Sequence, residues 1–103
     1  MKEAQFTIGQ IIHHKLFDYR GVIVDVDFHF QGSDEWYKTV ALSRPPKDQP
    51  WYHILVDNGG YESYVAERNL EPSQMPGPVN HPFVASFFQE FKDGLYVSSK
   101  RKN

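Results

Sequence analysis

The sequence predicts a mainly β protein: a small, strongly bent antiparallel sheet forming a partly open barrel, with a C-terminal α-helix. Three observations carry this expectation. β-Branched residues dominate two apolar runs, Ile8 to Leu16 and Val22 to Phe28, interrupted by Asp18, Tyr19, Arg20 and Gly21, and such side chains favour a pleated, half-buried surface. Asn58-Gly59-Gly60 separates two further short runs and can supply the positive φ angles of a tight hairpin turn. The 103 residues suffice for one core, in the size range where oligomerisation often supplements stability.

In the first hairpin, side chains alternate across each strand. Val22, Val24, Val26 and Phe28 therefore share one face, expected to be core, and Ile23, Asp25 and Asp27 share the other. The preceding strand has apolar residues on both sides, with Gly9, Ile11 and His13 opposing Ile8, Gln10, Ile12 and His14. That fits a strand covered on both faces at one end. Gly9 and Gly21 fit backbone needs at a turn or bulge.

Residues 29–50 form an insert too long for a tight turn. Ser33 can cap a short helix with Asp34 and Glu35 in its first turn, Trp36, Tyr37 and Val40 on its inner side, and Pro45 as its stop. The alternative is a mobile excursion of the kind that often carries binding contacts. Trp51 to Asp57 forms the third strand and Tyr61 to Val65 the fourth. Ala66-Glu67-Arg68-Asn69-Leu70 then matches the 3₁₀ turn before the last strand of SH3-like barrels, with Leu70 plugging one end.

A barrel domain over residues 1–72 is followed by a linker, since three prolines and a glycine between Pro72 and Pro78 preclude helix or central strand. Asn80 or His81 can cap a final helix, with Phe83, Val84, Phe87, Phe88 and Phe91 at helical spacing and Gly94 ending it. Burying each Phe gains roughly 2–3 kcal/mol. The segment 73–97 is thus expected to pack on the barrel or on a neighbouring subunit, and 98–103 to be a disordered basic tail.

Composition narrows the function classes. Without cysteine there is no disulfide, thiolate nucleophile or Cys-based zinc site. No apolar run approaches the roughly 20 residues that span a bilayer, and the N-terminus lacks a signal peptide's regions, so a cytoplasmic protein with no membrane contact is expected. Eleven Lys and Arg against 13 Asp and Glu give a net charge of −2, which offers no overall attraction to a polyanion. A local basic patch for nucleic acid could draw on His13, His14, Lys15 and Arg20.

His13 and His14, adjacent on a strand, point to opposite faces, and His29, His53 and His81 lack ligand spacing, so no metal or cofactor is expected. Asp25 and Asp27 lie on one strand face, about 7 Å apart by strand rise. They point the same way and cannot flank a bond as glycosidase carboxylates do; a solvated, edge-protecting face or a partner contact accounts for them. About half of Trp51, Tyr52, Tyr61 and Tyr64 should be core by alternation, leaving the rest to stack bases or grip an extended peptide. Gly59-Gly60 lacks the helix and lysine of a phosphate loop, and no catalytic residue is assigned.

F-x-I-G-Q at Phe6 to Gln10, Tyr19-Arg20-Gly21-Val22-Ile23, Asp25-Val26-Asp27, Trp51-Tyr52-His53 and Tyr64-Val65-Ala66-Glu67 together resemble the HspQ (YccV-like) heat-shock proteins, also called the hemimethylated DNA-binding protein family. The resemblance runs from about Phe6 to Pro72. It implies a non-enzymatic stress-response accessory that promotes degradation of particular denatured or regulatory proteins by a Lon-type ATP-dependent protease, with hemimethylated DNA binding as the alternative. It also implies a homo-oligomer, with a trimer as one form. Tyr19, Arg20, Asp25, Asp27, Trp51, His53 and Tyr64 are the expected partner contacts. His13, His14, Lys15 and Arg20 are the expected DNA contacts under the alternative.

Overall fold

A computed structural model describes residues 3–98 of the chain. Five strands, β1 (Ile11–His14), β2 (Arg20–Asp27), β3 (Trp51–Val56), β4 (Glu62–Ala66) and β5 (Leu70–Pro72), form one antiparallel sheet in the order β4-β3-β2-β1-β5. Ile12, Ile23, Tyr52, Ile54, Val65 and Leu70 come from all five strands yet share one buried cluster. Only a bent sheet brings them together. β4 and β5, the two edges, do not pair with each other, so the sheet is open and does not close into a barrel.

The turns follow the residues read from the sequence. Asp18 (φ 57°) ends the β1–β2 turn, and Asn58 (φ 62°) and Gly60 (φ 71°) shape the β3–β4 hairpin. Glu67–Asn69 forms the 3₁₀ turn. Both faces of β1 are covered, Ile12 in the cluster above and Ile11 in a second one with Val22, Val24 and Leu55.

The expectation of a single Val face on β2 needs correction. Pairing with β3 shifts register between Ile23 and Asp25, and the extra residue of such a bulge reverses the alternation beyond it. Val22 and Val24 therefore face one cluster, Val26 packs against the other, and Phe28 is exposed.

The insert contains the capped helix. Ser33 Oγ accepts from Trp36 N–H at 3.0 Å, opening α1 (Asp34–Val40). Phe30, Trp36, Tyr37 and Tyr64 close around buried Trp51, Ala41 and Ala66 in a third cluster. Lys47 reinforces the helix start by pairing with Asp34 at 3.1 Å, and this bond holds the Asp34 carboxyl below its usual range.

The long C-terminal helix is overturned. One helical turn, α2 (Val84–Phe87), leads into a hairpin of β6 (Phe88–Lys92) and β7 (Leu95–Ser98). Its turn is Asp93 (φ 56°) and Gly94 (φ 81°), the Asp-Gly pair that favours a two-residue hairpin loop. Folding back in this way buries Phe88 and Tyr96, with Val79, against Ile11, Val22, Val24 and Leu55. Gly9 (φ 95°) sits where a Cβ would lie 2.2 Å from Tyr96 O. This close approach lets Tyr96 N–H reach Gly9 O at 2.9 Å. Ser98 ends β7, and the remaining expected tail lies outside the described residues.

Candidate functional site

β4 is an edge strand of the sheet, and a cleft of about 670 Å³ opens along it. One wall comes from α1 and the turn after it, through Trp36, Val40, Leu42 and Pro45; the other comes from the β1–β2 turn, through Leu16, Phe17 and Tyr19. Leu42 is 73% exposed and Phe17 70% exposed, with Val40, Leu16 and Tyr61 exposed beside them. Scattered surface apolar residues are ordinary, but a run of them along both sides of one open strand marks a candidate contact surface.

His14 shapes the second wall. It is buried, and its Nδ1 accepts from the N–H groups of Leu16 and Phe17, each at 3.1 Å. Its ring stacks on Phe17, with centroids 4.7 Å apart. Burial and the nearby His13 lower the His14 pKa, so the imidazole stays neutral and keeps Nδ1 as an acceptor. Tyr19 joins the wall to the edge strand, its hydroxyl 2.8 Å from Ser63 Oγ; burial raises its pKa.

A polar network sits where β2, β3 and β4 run side by side. Asp27 Oδ2 accepts from Tyr64 O–H at 2.7 Å and lies 3.1 Å from His53 Nε2, while His53 Nδ1 lies 3.1 Å from Glu62. Tyr64 Oη also accepts from Gln31 N–H at 3.0 Å, tying the insert to the sheet. Burial first, then its bond to Asp27, raises the Tyr64 pKa, so the hydroxyl remains a donor. Asp25, Asp27 and His53 bring ligand atoms within 4.8 Å of one another. Spacing along the chain could not show this trio, because His53 reaches it by pairing opposite Asp25 across the sheet. Both His53 nitrogens and one Asp27 oxygen are already engaged in the network.

Several expected contact residues prove structural. Trp51 is buried, its indole N–H donating to Pro46 O at 3.0 Å. Arg20 Nε donates to Asp57 at 2.9 Å, and its other nitrogens donate to the carbonyls of Met75, Gly77 and Pro78. Its guanidinium therefore fastens the linker to the sheet. His13 bridges Asp18 and Glu71 at 2.7 Å each, bonds that raise its pKa. Of the four residues assembled as a basic patch, only Lys15 has an exposed side chain with no ion pair among the described residues. Asp25 is exposed, and His53, Tyr64 and Tyr19 are partly exposed.

Leu16, Phe17 and Leu42 are cleft residues that nothing in the sequence assigned to a site, Val40 is exposed where the inner side of the insert helix was expected, and Tyr61 is one of the hairpin aromatics left outside the core. Apolar residues inside apolar runs give no sign of exposure. The signal available was Leu16-Phe17 directly before Asp18, where the turn carries side chains off the sheet.

Two comparisons place this architecture. A family model described as "Hemimethylated DNA-binding protein YccV like" matches residues 4–95, past Pro72 and through most of the C-terminal hairpin. The chain is also similar to F-box only protein 21 of Pongo abelii and of Homo sapiens, 32% identical over 98 residues in both. That alignment covers 93% of this chain but 16% and 15% of the relatives, so the chain spans about a sixth of the length of these curated proteins. With the family model matching nearly its whole length, the chain belongs to the YccV-like family.

Proposed function

We propose that this protein is a non-enzymatic binding accessory, cytoplasmic and stress-induced, that presents particular denatured or regulatory proteins to a Lon-type ATP-dependent protease. The observation that supports this reading most is the apolar cleft along β4, about 670 Å³ in volume, flanked by exposed Leu16, Phe17, Val40 and Leu42. Unfolded chains expose apolar side chains, and a surface of this kind recovers part of the free energy lost when those chains stand in water. Aromatic anchors beside it suit protein partners.

Hemimethylated DNA, named in the family's description, is the second reading. A net charge of −2 works against it, as does the commitment of Arg20 and His13 to internal ion pairs. Phosphate neutralisation needs unengaged cations.

The test is degradation of a labelled, permanently unfolded polypeptide by a Lon-type protease with ATP, with and without this protein. A saturable rise in rate, lost in Leu42→Asp and Phe17→Ser, is expected. An unchanged rate across the concentration range would remove the reading. Light scattering on the same material measures the subunit number, for which a homo-oligomer is proposed.

A further inference from the structure

The floor of the cleft restricts what can fill it. Val56 N–H donates to Tyr61 O and Glu67 N–H donates to Pro50 O, at 3.0 Å each, and β3–β4 pairing runs without a shift from Glu62 to Ala66. On an antiparallel strand the bonded positions recur every second residue, so Ser63 and Val65 bond inward to β3. Glu62, Tyr64 and Ala66 therefore direct their main-chain N–H groups toward the cleft, and Glu62 and Tyr64 their carbonyls as well. Donors and acceptors alternating at this repeat are complemented by an extended polypeptide backbone.

The edge is also lightly guarded. Edge strands are commonly protected by charged side chains, lysine above all, by proline or by a bulge; Glu62-Ser63-Tyr64-Val65-Ala66 has no lysine, proline or bulge, and its one charge, Glu62, stands at the start of the strand. Side chains of an added strand alternate, so one set would meet Val40 and Leu42 and the other Leu16 and Phe17, all exposed and apolar. Charge sets the preferred end. Glu62, its side chain 49% exposed, begins β4 and is joined through His53 to Asp27, which favours a basic residue there.

We propose that the cleft binds an extended segment of another protein, with apolar side chains on both of its faces, as a further strand along β4 and with a Lys or Arg over Glu62. The proposal rests on reading this cleft as the protein-binding surface and adds the conformation and chemistry of its occupant. A segment matched to Glu62–Ala66 spans roughly 17 Å.

The probe is a fluorescein-labelled, end-capped decapeptide in which pairs of valines alternate with pairs of threonines, so that valine lies on both strand faces, with one terminal lysine, titrated with the whole chain and followed by anisotropy. Two further peptides carry N-methyl groups on alternate residues, one on each bonding edge. We expect methylation of the edge facing β4 to weaken binding by about tenfold or more, roughly the loss of one or more backbone bonds. Methylation of the other edge should leave binding nearly unchanged. Leu42→Asp and Phe17→Ser, at exposed positions, should each weaken the parent peptide. Equal binding of all three peptides, or binding indifferent to both wall variants, would overturn strand addition. So would a dimer paired through β4 that excludes the peptide. Accelerated proteolysis together with equal binding of the methylated peptides would overturn strand addition alone. Edge-selective binding without any effect on proteolysis would uphold strand addition and remove the protease reading.

Discussion

Arg20→Ala separates a structural arginine from a nucleic-acid contact. The side chain is 14% exposed and its partner Asp57 15% exposed, with Nε donating across 2.9 Å. Its remaining nitrogens satisfy three linker carbonyls, those of Met75, Gly77 and Pro78. Removing one partner of a fully buried pair costs about 3–5 kcal/mol. Here water can reach the vacated space, and Asp57 retains a bond from Asn80 N–H at 2.7 Å. About 2–3 kcal/mol is therefore expected, a large share of the 5–15 kcal/mol typical of a domain. Urea unfolding monitored by tryptophan fluorescence measures it, with an unchanged m-value marking a native-state effect. At this chain length the melting midpoint should fall by about 10–20 °C. A loss below about 0.5 kcal/mol, the range of ordinary surface substitutions, would refute the structural assignment and restore Arg20 as a candidate contact.

Three other outcomes follow from the same geometry. Tyr52→Phe removes a buried hydroxyl that donates to Glu67 at 2.5 Å and accepts from Phe6 N–H at 3.2 Å, and should destabilise by about 2–3 kcal/mol in urea unfolding. His13→Asn should cost stability at acidic pH and little at alkaline pH, because the His13 pKa is raised by Asp18 and Glu71. That contribution is full below the unfolded value near 6.5 and disappears as pH rises through the folded pKa. A variant-minus-parent difference that grows with pH would contradict it. His14, whose pKa is lowered first by burial and second by His13, acts oppositely; the burial part cancels in that difference, and loss of the His13 part makes the acid-side difference smaller without reversing its direction. Gly9→Ala should cost at least about 2 kcal/mol, since a Cβ at φ 95° would lie 2.2 Å from Tyr96 O; loss of exchange protection at the Tyr96 amide reports it.

Local signals in the sequence carried the sheet well. Asn58-Gly59-Gly60 and the Ser33 cap specify their turn and helix through chemistry confined to a few residues, and both appear where expected. The bulge at Val24 was not legible, because any residue can occupy one and only pairing with β3 reveals the shift. The Phe stripe from Phe83 to Phe91 fits helical spacing, yet Phe88 and Tyr96 gain more by joining Val22 and Leu55 through a hairpin. There tertiary burial outweighs local periodicity, and Asp93-Gly94 was the turn signal read as a helix stop.

The site was less legible than the fold. Motif residues such as Trp51 and Arg20 proved to be internal anchors, while Asp27, His53 and Tyr64 form a partly exposed network beside β4. The cleft itself depends on where the insert folds relative to the edge strand. No spacing within Leu16-Phe17 or Val40-Ala41-Leu42 encodes their convergence.

Whether the open side of β4 receives polypeptide is measured by anisotropy of a labelled unfolded polypeptide bound to this chain, with hemimethylated and unmethylated duplexes as competitors at two salt concentrations. Saturable binding is expected that changes little with salt, is weakened in Leu42→Asp and is not displaced by either duplex. Displacement selective for the hemimethylated duplex, falling steeply with salt, would contradict it.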